Sequence, residues 1–384
     1  MKKKIKNKSL VFVAGGSGGP VTPLLAVADI LSRTHRQLDM VFVGTRTGPE
    51  KELVLNAGFS FFVVTSGKWR RYFSLKNIYA PVLSGIGFFQ ALVLLRNIKP
   101  SVVIGSGSFV QVPLLWAAWF LSIPIVIHQQ DARVSLANIL CAPIAKKITV
   151  SLQSSLSDFA HAWTIGQLAK SSRVIWTGNP VRQNVLAGEK SAALKLFGFT
   201  ERLPVVLVMG GGTGALAINQ LVLQALPELT SHMQILHITG KGKGQYPHCA
   251  NYYSAAFLLD MGAAYAAADL VVSRAGMGSL SELSALAKPA VIIPIPHSHQ
   301  EANALVVEKL QAGIILHQSE LTSHRFAALL LGFFEEKAMA EKLSKNITQL
   351  MPRHASLGVA KIIEQVAGLD TRLPTSLLVK RQKK

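Results

Sequence analysis

The sequence predicts an α/β protein built from two doubly wound, Rossmann-like parallel-sheet domains in tandem. Short apolar, β-branched runs alternate with longer helical patterns, which is typical of a parallel sheet covered on both faces. The order strand, glycine-rich turn, helix occurs twice, in VFVAGGSGGPVTPLLAVADIL (11–31) and in PVVLVMGGGTGALAINQLVLQAL (204–226). At 384 residues, 49% of them apolar, the chain is long enough for two packed domains.

The strands are expected in two series. In the first half they are predicted at 10–14, 40–44, 101–105, 124–128, 147–150 and 173–176. In the second half they follow the run that opens at 204 and are predicted at 234–239, 269–273, 290–295 and 313–317. The joint between the domains is expected near GNPVRQNV (178–185), where Gly, Asn and Pro follow a strand.

The charge distribution indicates a polyanionic partner. The net charge is +20, and residues 1–181 hold 20 Lys and Arg against 6 Asp and Glu, whereas the remainder holds 20 against 14. Nucleic acid, an anionic lipid surface and a phosphorylated substrate all fit such a balance. We do not expect nucleic acid, because the sequence has no helix-turn-helix, zinc-finger or aromatic RNA-binding signature.

Two apolar stretches raise the question of a membrane. FVQVPLLWAAWFLSIPIVI (109–127) is interrupted by Pro113 and Pro124, which predicts a buried helix followed by a strand. In GKWRRYFSLKNIYAPVLSGIGFFQALVLLRNIK (67–99), basic residues flank aromatic ones, which suits docking on anionic headgroups. We expect the contact around 67–76 and interpret 82–95 as an ordinary core helix, because apolar residues fall on all of its faces.

Glycine loops after strands indicate anion binding. Such a turn directs backbone N–H groups and the positive end of a helix at one point, which suits a pyrophosphate. A tight turn without a ligand is the alternative. The first loop lacks the acidic residue that dinucleotide enzymes carry after the second strand, where MVFVGTR (40–46) stands, so a nicotinamide dehydrogenase is disfavoured.

The segment SRAGMGSLSELSALAKPAVIIPIPHSHQEANALVVEKL (273–310) carries the most specific pattern. Gly276 and Gly278 open a further turn, and Ser279 with Glu282 has the spacing of a helix capping box. Glu282 either caps its helix or accepts hydrogen bonds from ribose hydroxyls. Gln300 and Asn303 lie at i and i+3 on one helix face and suit sugar hydroxyls.

Five motifs in this order resemble the MurG family, membrane-associated N-acetylglucosaminyltransferases that convert lipid I to lipid II in peptidoglycan synthesis. The motifs are GGSGG (15–19), GNPVR (178–182), the glycine loop at 210–214, RAGMGSLSE (274–282) and HQEANA (299–304). The resemblance implies a GT-B architecture, in which two Rossmann-like domains face a cleft. It implies an acceptor domain over 1–181, a UDP-sugar domain over 182–352, a helix over 353–369 that returns to the first domain, and a basic tail over 370–384.

The resemblance also implies the site. Arg182 would contact phosphate and Glu282 the ribose, which agrees with the chemistry of a guanidinium and a carboxylate. The positions matching the family's donor contacts are Ser17, Gly18, Gly19, Asp131, Arg182, Gly212, Leu258, Met277, Gly278, Ser279, Leu280, Ser281, Glu282, His299, Gln300 and Asn303.

Three departures from the family concern the chemistry. Pro20 stands where the family has His, Asp131 where it has Asn, and Gly212 where it has Ser. An inverting transfer needs a base for the acceptor hydroxyl, so we expect Asp131 or His128 in that role. A buried, structural His128 is the alternative.

The implied partners are UDP-GlcNAc, a lipid-linked pyrophosphate acceptor and an anionic membrane surface, at the cytoplasmic face of the cell membrane and peripheral to it. No metal or other cofactor is expected. Two other functions stay open, a related lipid glycosyltransferase with a different acceptor and a non-catalytic protein that binds UDP-sugar or lipid headgroups.

Overall fold

The computed structural model describes residues 8–16, 18–67, 76–161, 173–212, 214–244 and 246–370, without the side chains of 76–78 and 160–161. These residues form two compact units. The first unit takes in the described residues that lie within 8–130, 134–180 and 354–370, and the second unit takes in those within 131–133 and 181–353.

The first unit contains a parallel sheet of seven strands in the described residues. Its order is β3-β2-β1-β4-β5-β6-β7. Strands β2 and β3 are added on one side of β1, and β4 to β7 are added on the other side. The strands are β1 Ser9–Val13, β2 Asp39–Gly44, β3 Ser60–Val63, β4 Val102–Gly105, β5 Ile125–Gln129, β6 Lys147–Val150 and β7 Val174–Trp176. Between them run α1 Gly18–Thr34, α2 Glu50–Asn56, α3 Lys76–Ile98, α4 Gln111–Phe120, α5 Leu136–Cys141 and α6 Ser155–His161.

The second unit repeats this plan with six described parallel strands in the order β10-β9-β8-β11-β12-β13. They are β8 Val205–Met209, β9 Gln234–Ile238, β10 Tyr252–Ala255, β11 Leu270–Ser273, β12 Ala290–Ile292 and β13 Ile314–Ile315. The helices are α7 Lys190–Phe197, α8 Leu216–Leu229, α9 Met261–Ala267, α10 Met277–Leu286, α11 His299–Lys309, α12 Ser323–Glu335 and α13 Lys337–Ile347. A 3₁₀ helix, Gln183–Ala187, precedes α7.

The last helix, α14 Ala355–Ala367, belongs to the first unit and packs on α1. Val359 and Ile363 join the core on one face of the sheet, where the Phe12 and Phe42 rings stack with centroids 5.0 Å apart. Glu364 is fully buried and its Oε1 lies 2.9 Å from Nε2 of His35. Helix α14 therefore completes the apolar cover of a sheet whose central strands, β1 and β4, are fully buried.

The predicted strands are strands in the structure, and two further ones, β3 and β10, were not predicted. Residues 109–127 divide into α4 and β5, as the prolines predict. Strand β3 escaped prediction because it lies at the sheet edge and half-exposed, so SFFV has no continuous buried pattern.

The interpretation of 82–95 as an ordinary core helix is wrong. One side of α3 is buried through Ala80, Ala91, Leu92 and Leu95, but the opposite side exposes large apolar residues. The exposed side chains on α3 and the neighbouring α4 are Tyr79, Val82, Leu83, Ile86, Phe89, Val93, Trp116, Trp119 and Phe120. We call these nine residues the apolar face. Large exposed apolar side chains grouped on two helices that pack on each other indicate an interaction surface.

In the described part of the chain, one helical stretch, Tyr79–Ile98, is long and apolar enough to cross a membrane. This helix packs closely on the segment that follows β3. Gly87 brings the α3 backbone so close to residue 65 that an added Cβ would lie 1.8 Å from the Thr65 carbonyl oxygen. At Gly67 an added Cβ would lie 2.2 Å from the Ala80 carbonyl oxygen.

We predict that Gly87→Ala destabilises the protein by about 1–3 kcal/mol, because the methyl group has no room. Gly85→Ala on the same helix is the matched control, since its Cβ would meet no atom within 4 Å. That control should be neutral or stabilise by up to about 1 kcal/mol, the difference in helix propensity between Gly and Ala. Urea unfolding of both variants checks this, and equal effects would contradict the close packing of α3.

Candidate functional site

The first glycine loop lies between β1 and α1. Gly16 has φ of 84°, which favours glycine, and α1 begins at Gly18 and Gly19. Pro20 occupies the first turn of α1, where backbone N–H groups have no partner within the helix, so proline costs no hydrogen bond there. Its carbonyl oxygen accepts a 2.7 Å hydrogen bond from the Ser106 hydroxyl. Ser17, a predicted contact, lies outside the described residues.

A buried carboxylate holds this loop. Glu50, at the start of α2, is fully buried, and its Oε1 accepts from the Gly16 N–H at 3.1 Å and the Thr45 N–H at 2.9 Å, as well as from the Thr45 hydroxyl. An added Cβ at Gly48 would lie 1.8 Å from Oε2. Glycine therefore makes room for the carboxylate, and the carboxylate fixes the glycine loop. The sequence analysis missed Glu50, although GTRTGPE (44–50) joins a glycine-rich turn to an acidic residue.

A further glycine loop follows β4 and was also missed, although GSGS (105–108) ends a predicted strand. Gly107 has φ of 90°, and its N–H donates to the buried Oε1 of Gln111 at 2.7 Å. The Gln111 amide donates to Asn138 at 2.7 Å, and Asn138 donates to Gln129 at 2.7 Å. This chain of buried amides connects the loop after β4 to the end of β5.

His128, a candidate base, is 1% exposed at the end of β5. Its Nε2 lies 2.9 Å from Oδ1 of Asn179 and its Nδ1 lies 2.8 Å from the Thr149 hydroxyl. Burial lowers the pKa of His128 to about 4, although the hydrogen bond to Asn179 acts to raise it. With both ring nitrogens engaged and no water access, these contacts favour the structural alternative for His128.

In the second unit, the glycine loop after β8 uses positive φ at Gly211 (82°) and Gly214 (72°). Gly212 is exposed, and a Cβ there would meet nothing within 4 Å, so the family's serine would fit. Leu258, half-buried, follows β10 in a loop that exposes Phe257 and Leu259.

Helix α10 begins at Met277, with Gly276 as its N-cap and no side-chain cap. The capping box predicted for Ser279 and Glu282 is therefore wrong, because Ser279 already lies inside the helix. The side chains of Met277, Leu280 and Ser281 are buried, and the Ser281 hydroxyl donates back to the Met277 carbonyl. Gly278 is exposed and Ser279 half-buried.

The Glu282 carboxylate accepts a 2.7 Å hydrogen bond at Oε2 from the hydroxyl of Tyr265, which is fully buried in α9. Burial raises the pKa of Glu282, and the Tyr265 hydrogen bond and the charge of Arg182 act to lower it. Burial and the neighbouring carboxylate raise the pKa of Tyr265 well above its usual value, so the hydroxyl keeps its proton and donates. Arg182 and Glu282, predicted as phosphate and ribose contacts, thus lie within one electrostatic cluster.

The start of α11 brings two other predicted residues to the end of β11. Ser298 caps the helix, His299 begins it, and Gln300 Oε1 accepts from the Ile295 N–H at 3.2 Å. Asn303 is fully buried and donates to the Ala275 carbonyl at 3.0 Å and to Asp131 Oδ1 at 3.0 Å. Residue 131 belongs to the second unit.

Arg274 is the first residue of the RAGMGSLSE motif, and the sequence predicts no contact for it. Its guanidinium is buried and donates to the carbonyls of Ile293 at 3.1 Å and Pro294 at 3.2 Å, and to Gln318 at 2.7 Å. Burial lowers the pKa of Arg274. The contacts tie the loop after β11 to the residues that follow β12.

Profiles of glycosyltransferase family 28 match both halves of the chain, the N-terminal domain over residues 10–150 and the C-terminal domain over 205–366. Two curated relatives are named UDP-N-acetylglucosamine–N-acetylmuramyl-(pentapeptide) pyrophosphoryl-undecaprenol N-acetylglucosamine transferase. The one from Caldicellulosiruptor saccharolyticus is 32% identical over 374 residues, and the one from Legionella pneumophila (strain Lens) is 33% identical over 373. Each alignment covers 94% of this chain and 98% of the relative.

The chain belongs to the MurG family of glycosyltransferases. Among solved structures, MurG of Acinetobacter baumannii matches with a TM-score of 0.70 and 22% identity, covering 94% of this chain and all of that one. A UDP-GlcNAc 2-epimerase from Neisseria meningitidis matches with a TM-score of 0.66 and 12% identity, covering 93% of this chain and all of that one. These likenesses concern the fold, and the predicted GT-B class of two parallel-sheet domains is confirmed.

Within the MurG family, this chain's departures change side chains and leave the backbone frame intact. Pro20 fits the first turn of α1, and Gly212 leaves open space. Because neither change disturbs a described core contact, the family fold is compatible with both.

We predict that protonation of His128 destabilises the protein as the pH falls. Since its pKa is about 4 when folded against 6.5 for an ordinary histidine, the unfolded chain binds more protons between these values. Stability is therefore lost on acidification through this window. His128→Gln should reduce the slope of unfolding free energy against pH by up to about 1.4 kcal/mol per pH unit, besides lowering stability overall.

Urea titrations at several pH values measure that slope. His237 is buried in the second unit, and its pKa is also lowered to about 4. The comparison variant His237→Gln should therefore reduce the pH slope of the unfolding free energy by a separate amount. A slope unchanged in His128→Gln would mean that the imidazole protonates without loss of the fold.

Proposed function

We propose that this protein transfers GlcNAc from UDP-GlcNAc to undecaprenyl-pyrophosphoryl-MurNAc-pentapeptide, the reaction class in the names of its curated relatives. The geometry that best supports the proposal is the cluster of Glu282, Tyr265 and Arg182 beside the open start of α10. A carboxylate accepts from two vicinal ribose hydroxyls, and a guanidinium binds phosphate oxygens. The exposed Gly278 leaves the first turn of α10 accessible to a phosphate group.

The remaining donor contacts follow from the same arrangement. Gln300 and Asn303 fix the backbone around 275 and 295 through buried amides. Leu258 lies beside exposed apolar residues, which suits the face of a nucleobase. Gly212, Ser279 and His299 complete the proposed donor site, in which Leu280 and Ser281 act through their backbone, because their side chains are buried.

For the acceptor, we propose the glycine loops of the first unit. Glu50 and Gln111 fix the loops after β1 and β4 by accepting from the Gly16 and Gly107 N–H groups, and the first turn of α1, which begins at Gly18, suits a pyrophosphate. The base that takes the acceptor hydroxyl proton is assigned to Asp131, since Pro20 has no basic side chain and His128 is engaged at both nitrogens. Departing UDP would be stabilised by Arg182 and the dipole of α10.

We further propose that the first unit docks on an anionic membrane surface through the apolar face of α3 and α4, as a peripheral protein at the cytoplasmic side. The apolar face supplies buried area in the headgroup region, and the exposed Arg96 and Lys99 supply charge at the end of α3. Of the contact predicted around 67–76, residues 68–75 lie outside the described residues. The proposal therefore rests on the apolar face.

The product formed from purified protein, UDP-GlcNAc and lipid I tests the transfer. Lipid II as product supports the proposal. Turnover only with another lipid-linked acceptor would assign a related lipid glycosyltransferase, and donor binding without turnover on any acceptor would assign a binding protein.

We predict that Glu282→Ala weakens UDP-GlcNAc binding by about 1–3 kcal/mol, because a charged hydrogen-bond acceptor is lost. Calorimetry measures the affinity. Glu308→Ala, which removes an exposed carboxylate on α11, is the control and should bind as the wild type does. If both variants keep full affinity, Glu282 does not contact the donor.

We predict that Phe89→Ser weakens binding to vesicles containing phosphatidylglycerol by about tenfold or more, because burying a Phe side chain contributes about 1.5–3 kcal/mol. Phe89 is 68% exposed, so the fold should persist. Leu196→Ser, at an exposed apolar position in the second unit, serves as the control. Sedimentation with vesicles measures binding, and equal retention of the two variants would remove α3 from the membrane contact.

A further inference from the structure

Tyr265 is buried and in contact with a residue of the proposed donor site, although no motif singled it out. It is 0% exposed in the middle of α9, and its hydroxyl donates to Oε2 of Glu282 at 2.7 Å. Within the described residues, that hydroxyl also lies 3.8 Å from the Met209 sulfur, a weak acceptor. Glu282 is therefore the dominant partner of the tyrosine hydroxyl.

Close backbone packing brings α9 to this position. An added Cβ at Gly262 would lie 2.4 Å from the Asn184 carbonyl oxygen. At Gly188 an added Cβ would lie 2.1 Å from the Gly262 carbonyl oxygen. These two glycines let α9 approach the segment 182–188, so that Tyr265 from α9 and Arg182 both act on Glu282.

The two carboxylate oxygens of Glu282 differ in their hydrogen bonding. Oε2 is occupied by Tyr265, and within the described residues Oε1 accepts no protein hydrogen bond. A buried carboxylate free to rotate would lose part of its hydrogen-bonding geometry with a ligand, whereas one held at Oε2 presents Oε1 in a fixed direction. Fixing a binding group before the ligand arrives reduces the entropic cost of binding.

We propose that Tyr265 is a positioning residue for the nucleotide-sugar donor, which orients Glu282 so that Oε1 accepts from the ribose hydroxyls. This inference rests on the proposed function, in that Glu282 must contact the donor ribose. Tyr265 itself touches Glu282 and not the donor.

The same hydrogen bond has a consequence for pH. Burial raises the pKa of Glu282, while the hydrogen bond from Tyr265 and the charge of Arg182, the groups that act on it from α9 and from the segment before the 3₁₀ helix, lower it. The ionised carboxylate is the stronger acceptor for the ribose hydroxyls, so donor affinity is expected to fall as the pH drops through this pKa. Removing the Tyr265 hydroxyl raises the pKa further, and the loss of affinity then begins at a higher pH.

Calorimetric titration of the full chain with UDP-GlcNAc from about pH 5 to about pH 8 tests the proposal. Tyr265→Phe should weaken binding about tenfold near neutral pH and move the acid midpoint of affinity upward. Tyr252→Phe is the matched control, because Tyr252 is also buried in the second unit with its hydroxyl bonded, to His237 at 2.9 Å, and away from Glu282. The control should show neither change.

A second ligand separates positioning from general loosening of the fold. UDP with 2′,3′-dideoxyribose lacks the hydroxyls that Glu282 would bind, so wild type and Tyr265→Phe should bind it equally. Equal weakening of both ligands in Tyr265→Phe would overturn the proposal and leave a structural role.

Glu282→Ala, which removes the acceptor altogether, separates the proposed donor contact from the role of Tyr265. If Glu282→Ala leaves UDP-GlcNAc affinity unchanged, the proposed donor contact fails, and the role of Tyr265 fails with it. If Glu282→Ala weakens binding while Tyr265→Phe changes neither affinity nor acid midpoint, only the positioning role is overturned.

Discussion

The constraint on which this structure depends is that backbone loops at the ends of parallel strands must be held open and rigid. A loop lies outside the hydrogen-bond ladders of helix and sheet, so its backbone groups need other partners. Here buried side chains from other elements hold such loops: Glu50 holds the loop after β1, Gln111 the loop after β4 and Asn303 the loop after β11. Glycines next to these anchors leave space for them, as Gly48 does for Glu50. Because a buried polar group without partners is costly, each anchor and its loop stabilise each other.

At Glu282, side chains from other elements stabilise a charged group in the way that the anchors stabilise the loops. Removing a carboxylate from water disfavours its ionised form, and the raised pKa of Glu282 reflects that cost. The hydrogen bond from Tyr265 and the charge of Arg182 act in the opposite direction and lower this pKa. Under the proposed function, hydrogen bonds from the donor ribose would stabilise the carboxylate further and would couple donor binding to the charge state of Glu282.

Sequence reasoning predicted what depends on local pattern. The alternation of apolar strands and helices predicted both sheets, and glycine after a strand predicted two loops that the structure contains. It missed Glu50 and Tyr265, because the side chain that reaches a loop comes from an element distant in sequence, and periodicity does not specify that contact. It placed an N-cap at Ser279, whereas the extended Gly276 begins the helix. For α3, apolar residues on every face could not distinguish a core helix from one with an exposed apolar side.

The residues at positions 20 and 212, which differ from those of the family, lie outside the packed core. Pro20 and Gly212 both lie where the fold imposes little on the side chain, in a first helical turn and in open space. The glycine loops keep their conformation because their anchors, Glu50 among them, lie elsewhere in the chain. The described fold therefore depends on neither side chain. Under the proposed function, the identity of the base follows from the chemistry of Asp131 and not from the integrity of the fold.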